Sequence, residues 1–137
     1  MNKLLFILSI IVSPFCLADS VYFGMSTGHL VDGQFNEKND VTIIQSDSGF
    51  SFGMMTNSYN RESLMFGYVQ PNKPVALGVL FATGYKPENL YLQDYLDSTP
   101  LVPLPIVSVS LKVNNSVSVA ANYIGGVVIN TGLVVSF

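Results

Sequence analysis

The 137 residues suffice for one domain, and a net charge of −3 excludes the basic footprint of a nucleic-acid-binding protein. Only 11% of the residues are charged, against roughly a quarter in ordinary globular domains, while 49% are hydrophobic. One cysteine in the whole chain excludes a disulfide scaffold.

Residues 1–18 read as a secretory signal peptide. Lys3 supplies the positive start, Leu4 to Val12 is almost wholly apolar, and Cys16-Leu17-Ala18 ends in a small residue suited to cleavage after Ala18. Pro14 and Phe15 stand before Cys16 where a lipid-anchor signal would have small residues. The expected domain therefore spans 19–137, with five basic and nine acidic residues and no cysteine.

Along that domain the hydrophobic pattern has period two, the mark of strands. Val21, Phe23 and Met25 begin it, and Val41 and Ile43 mark a short second strand. Phe50, Phe52 and Met54 alternate with Ser51, Gly53 and Met55; Leu64, Phe66 and Tyr68 alternate with Ser63, Met65 and Gly67. Val75, Leu77, Val79 and Phe81 alternate with Ala76, Gly78, Leu80 and Ala82. From Val107 to Phe137 the odd positions outside the turns are apolar except Thr131, while even positions carry Ser108, Ser110, Lys112, Ser116, Ser118, Asn122, Asn130 and Ser136. Asn114-Asn115 and Gly125-Gly126 divide this last third into three strands, since both residue types accept the positive φ of tight turns.

Eight strands result, with no helical pattern between them. The first, third and fifth connections, near 28–40, 57–62 and 86–102, are long; the second, fourth and sixth are tight. That alternation, eight being a small even strand count, and charge confined to loops apart from Lys112 predict an all-β fold. The expected form is an eight-stranded antiparallel up-and-down transmembrane β-barrel with its long loops at one end. A secreted β-sandwich would also alternate, but would carry more lysine and glutamate on its wet face and edges. In the long fifth connection, which also holds Asp94 and Asp97, Tyr85, Tyr91 and Tyr95 are expected as part of an interfacial aromatic girdle.

Strand direction brings candidate chemistry together. With the amino terminus inside, the first and third strands run outward and end at His29, the only histidine, and at Asn57-Ser58. A histidine and a serine on one rim are a base–nucleophile or a base–donor pair.

The stretch Asn57-Ser58-Tyr59-Asn60-Arg61-Glu62, followed by Gly67-Tyr68, resembles the lipid A palmitoyltransferase family, which has Asp-Ser-Phe-Asn-Lys-Trp and the later Gly-Tyr. Thr27-Gly28-His29 and Phe35-Asn36-Glu37 are similar to its Thr-Trp-His and Tyr-Asn-Glu. Pro103-Leu104-Pro105 and Tyr123-Ile124-Gly125 are similar to its Pro-Leu-Pro and Tyr-Ile-Pro-Gly. The resemblance covers most of the domain in order. It implies an outer-membrane barrel of a Gram-negative cell, monomeric, without metal or cofactor, that moves an acyl chain from an outer-leaflet phospholipid to lipid A.

Carried onto this sequence, the resemblance makes His29 the general base, with Ser58 and Asn57 shaping the oxyanion site. Asn57 stands where the family has aspartate, and the family's leading amphipathic helix has no counterpart. Val69 stands where the family has a glycine at the floor of its acyl pocket, which implies chains shorter than palmitate. Pro103 and Pro105, ahead of the sixth strand, lack N–H groups for a sheet ladder; in the family such gaps admit lipid sideways, and the resemblance implies the same here. Arg61 and Lys86 are expected against lipid phosphates. The loss of the aspartate leaves a second reading, a non-enzymatic barrel that masks or remodels the cell surface.

Overall fold

The computed structural model describes residues 19–85 and 101–137. The signal-peptide segment and Lys86, Tyr91, Asp94, Tyr95 and Asp97 lie outside the described residues. The period-two segments form eight strands: β1 (Ser20–His29), β2 (Thr42–Gln45), β3 (Phe50–Thr56), β4 (Glu62–Val69), β5 (Val75–Ala82), β6 (Val102–Lys112), β7 (Val117–Ile124) and β8 (Val128–Ser136). Each pairs antiparallel with the next, and β8 pairs with β1, closing the barrel in chain order. Among the described residues there is no helix. Closure leaves no edge strand exposed to a second copy.

Alternation sorts the side chains. Phe52, Met54, Leu64, Phe66, Leu77, Val107, Val109 and Ile129 lie exposed on the outer surface. Met65, Leu80, Ala82, Ile106, Ala120, Asn122 and Asn130 are buried in the lumen. Cross-strand rings meet on the outside, Phe50 edge-on to Tyr68 at 6.3 Å and Phe66 stacked on Phe81 at 5.9 Å. Glu62 opens β4, so two charged residues, not Lys112 alone, fall within strands, each at a strand end. Gly67 has no room for a side chain: a Cβ there would come within 2.1 Å of the Val79 carbonyl oxygen across the ladder.

Two departures from regular pairing shape the rim that carries the long loops. In β1, Gly24 pairs with Gly132 but Ser26 pairs with Thr131, so Met25 is an extra residue. This bulge reverses the alternation. Below it Tyr22 is buried and Phe23 exposed; above it Thr27 is buried and His29 lines the lumen mouth. Because the bulge absorbs Met25, His29 faces inward opposite Val128; the same sequence in an unbulged strand would point it outward.

The second departure lies at the prolines. Pro103 and Pro105 sit inside β6, not before it as the sequence suggests. They pair with Phe81 and Val79 of β5. The Pro105 carbonyl accepts from Gly125 N at 2.9 Å, so the donor-less side of each proline faces β7. The β6–β7 ladder starts only at Ile106–Ile124, and the prolines thus occupy strand positions without breaking any ladder that exists. A similar notch lies between β1 and β2, whose pairing ends at Phe23–Thr42 plus one bond from Gly24 N to the Val41 carbonyl at 2.7 Å.

Candidate functional site

Thr56 ends β3, and the chain turns through Asn57–Arg61 into β4. Asn57 N donates to the Arg61 carbonyl at 2.7 Å, Asn60 N donates to the Asn57 carbonyl at 2.9 Å, and Asn60 takes φ 57°. Asparagine accepts that left-handed conformation more readily than most residues, which accounts for its place here. The Asn57 side chain is fully buried. Its Oδ1 accepts from Tyr59 N at 3.0 Å and Arg61 N at 3.1 Å; its Nδ2 donates to Ser63 Oγ at 3.0 Å and to the Gly84 carbonyl at 3.2 Å. All four bonds an amide readily makes are taken. Asn57 therefore fastens the turn, with both amide protons engaged.

The fastened turn presents Ser58 across the mouth to His29. His29 Nε2 and Ser58 Oγ lie 2.7 Å apart, within the reach required of a base and a nucleophile. Phe35, from the loop after β1, stacks on the imidazole with centroids 4.6 Å apart and planes at 18°. The same ring meets Tyr59 edge-on at 6.2 Å, and Tyr59 meets Tyr85 at 6.0 Å. The first loop is tied to the second by Asn36 N, which donates to the Ser58 carbonyl at 2.9 Å. Two loops distant in sequence thus hold one another and the pair between them.

Below the pair lies a cavity of about 720 Å³. Its wall is chiefly apolar, with Val41, Met55, Val102, Leu104, Ile124 and Val128. Volume and lining are those of a small-molecule or lipid-chain pocket. Tyr85 also lines it; burial, and secondarily Tyr59, pushes its hydroxyl up to about 12, so it stays a neutral donor. The floor is polar. Asn130 Oδ1 accepts from the Tyr22 hydroxyl, while Nδ2 donates to Thr27 Oγ1 at 2.7 Å and to the Ser26 carbonyl at 3.1 Å. Along no strand does the lining reach deeper than the third residue from the rim, about 10 Å at the usual rise.

Of the residues singled out in the sequence, His29, Ser58 and Pro103 come together around this cavity. Arg61 is exposed beside it, lining a shallow rim groove with Gln34, Asn36 and Asn60. Pro105 faces outward at the β6–β7 notch. Val69 does not belong to the cavity: it ends β4 at the opposite end of the barrel, where its carbonyl accepts from Gln45 Nε2 at 2.8 Å. Thr27 and Asn130 form the floor instead, with Tyr22 bonded behind Asn130, and the large lumen-facing side chains Met65 and Leu80 are buried lower down. Sequence reasoning passed over Asn39 and Asn130, both buried on the lumen side. A lone even-phase asparagine inside an apolar strand was the available signal for Asn130; Asn39 lies in a polar run that reads as solvated loop.

Among the described residues no three His, Cys, Asp or Glu side chains group as a metal site. Comparison with known proteins found no relative: no family model, no curated protein and no solved structure matches the chain.

Proposed function

We propose that the protein is an acyltransferase of a Gram-negative outer membrane, moving an acyl chain from an outer-leaflet phospholipid to lipid A. The observation that carries this reading is the 2.7 Å contact between His29 Nε2 and Ser58 Oγ at the mouth of an apolar cavity. The apolar outer surface supports the membrane setting, since a lipid-facing strand must be apolar on alternate residues. The ordered motifs shared with the lipid A palmitoyltransferase family support the substrate class.

In this reading His29 takes the Ser58 proton as Ser58 Oγ attacks the ester carbonyl of the phospholipid. The departing lysophospholipid oxygen receives that proton, leaving the acyl group on Ser58. A lipid A hydroxyl then attacks the acyl-serine, His29 taking its proton and returning it to Ser58. Asn57 positions Ser58 through the turn. Arg61 stands where a phosphate would approach the rim, and the ladder gap beside Pro103 and Pro105 gives lipid a lateral way to the cavity. The cavity reaches only about 10 Å below the strand ends, which supports a preference for chains shorter than palmitate. The closed barrel has no edge to share and acts as a monomer.

The test is to produce the full chain in a Gram-negative host and weigh its lipid A by mass spectrometry, beside H29A and S58A. One added acyl group, absent with either variant, is the expected result. Unchanged lipid A beside a folded, heat-modifiable barrel refutes the enzyme, and a lost acyl group makes the protein a deacylase.

A further inference from the structure

Among the described residues two buried side-chain atoms have no hydrogen-bond partner, His29 Nδ1 and Asn39 Oδ1. Both residues line the same cavity. Asn39 is 8% exposed and sits in the loop that leads into β2. A buried polar atom without a partner is unfavourable, and the cavity holds two of opposite need. For Nε2 to accept the Ser58 proton, the neutral ring must carry its own proton on Nδ1. Nδ1–H is then a donor without an acceptor, and Asn39 Oδ1 an acceptor without a donor. They make no hydrogen bond to each other. Asp32, which also lines the cavity, and Glu37, on the same loop, make no hydrogen bond to the ring.

We infer that Asn39 is the positioning residue for His29, its Oδ1 holding the Nδ1 proton through one bridging hydroxyl supplied by solvent. Serine, histidine and asparagine then form an oriented set in which the amide fixes tautomer and ring direction without adding charge, as the third member of such sets does. The inference rests on the reading of His29 as a base. It also locates the orienting group in the first loop, and not at Asn57, whose amide is fully engaged.

Since His29 is the only histidine, its two ring nitrogens give unambiguous NMR signals in ¹⁵N-labelled protein refolded into detergent micelles. Wild type is expected to show the neutral ring mainly as the Nδ1–H tautomer. Asn39→Asp, which keeps an acceptor oxygen, retains that form. Asn39→Leu, which removes the acceptor, lets the Nε2–H form rise several-fold; Asn39→Ala serves if the leucine variant does not refold. An unchanged tautomer ratio in Asn39→Leu or Asn39→Ala overturns the inference. The NMR readout needs no turnover. Coupling of the two residues without acyl transfer would refute the function and keep the pair, and acyl transfer without coupling the reverse.

Discussion

Replacing Asn57 by alanine separates a structural role from a chemical one. The amide holds Tyr59 N and Arg61 N on its oxygen, and Ser63 and Gly84, just past β5, on its nitrogen. At a net contribution of about 1 kcal/mol per bond, the two backbone N–H bonds together keep the turn closed by about 2 kcal/mol. With tenfold per 1.4 kcal/mol, the Tyr59 and Arg61 amides of Asn57→Ala are expected to exchange with solvent about 30-fold faster than in wild type. The amide of Asn60, which donates to a backbone carbonyl, marks how far the opening spreads. Hydrogen exchange followed by NMR in micelles measures all three, and amides in β5 and β6 report that the barrel persists. If acyl transfer collapses in Asn57→Ala while the Tyr59 and Arg61 amides exchange at the wild-type rate, Asn57 acts on the reacting atoms and the positioning argument is wrong.

Leu77→Arg tests whether the apolar outer surface faces lipid. Leu77 is 54% exposed near the middle of β5, and an arginine at mid-bilayer costs about 2–4 kcal/mol. The variant is expected to insert into vesicles markedly less well than wild type, whereas equal insertion of both chains argues against a membrane belt. Asn130→Ala removes three hydrogen bonds and leaves the Tyr22 hydroxyl without its acceptor. Urea unfolding should register a loss of about 3 kcal/mol, and acyl-donor competition a shift toward longer chains. An unaltered chain preference would place the floor elsewhere.

Much of this was legible in the residues. The last three strands read cleanly because one face is almost purely apolar and the turns are marked by Asn114-Asn115 and Gly125-Gly126. The meeting of His29 with Ser58 followed from strand direction, since alternate connections lie at one end. What escaped was set by departures from regularity. Nothing local distinguishes Met25 as an inserted residue, because Gly24-Met25-Ser26 suits either register. The prolines looked like strand breakers because a sequence does not show which flank of β6 lacks a ladder. Val69 was misplaced because lumen filling depends on Met65 and Leu80 together, not on one position. Asn57 looked like a chemical residue because its four partners, Ser63 and Gly84 among them, gather only after β4 and β5 are paired.

The extra residue in β1 has a wider meaning. In a wall whose neighbours face opposite ways, an unabsorbed insertion would exchange interior for exterior along the rest of its strand. Here the surplus is taken up at one point, and the opposite strand runs on uninterrupted. Such a lip can gain or lose a residue while the imidazole above and the cylinder beneath both keep their facing.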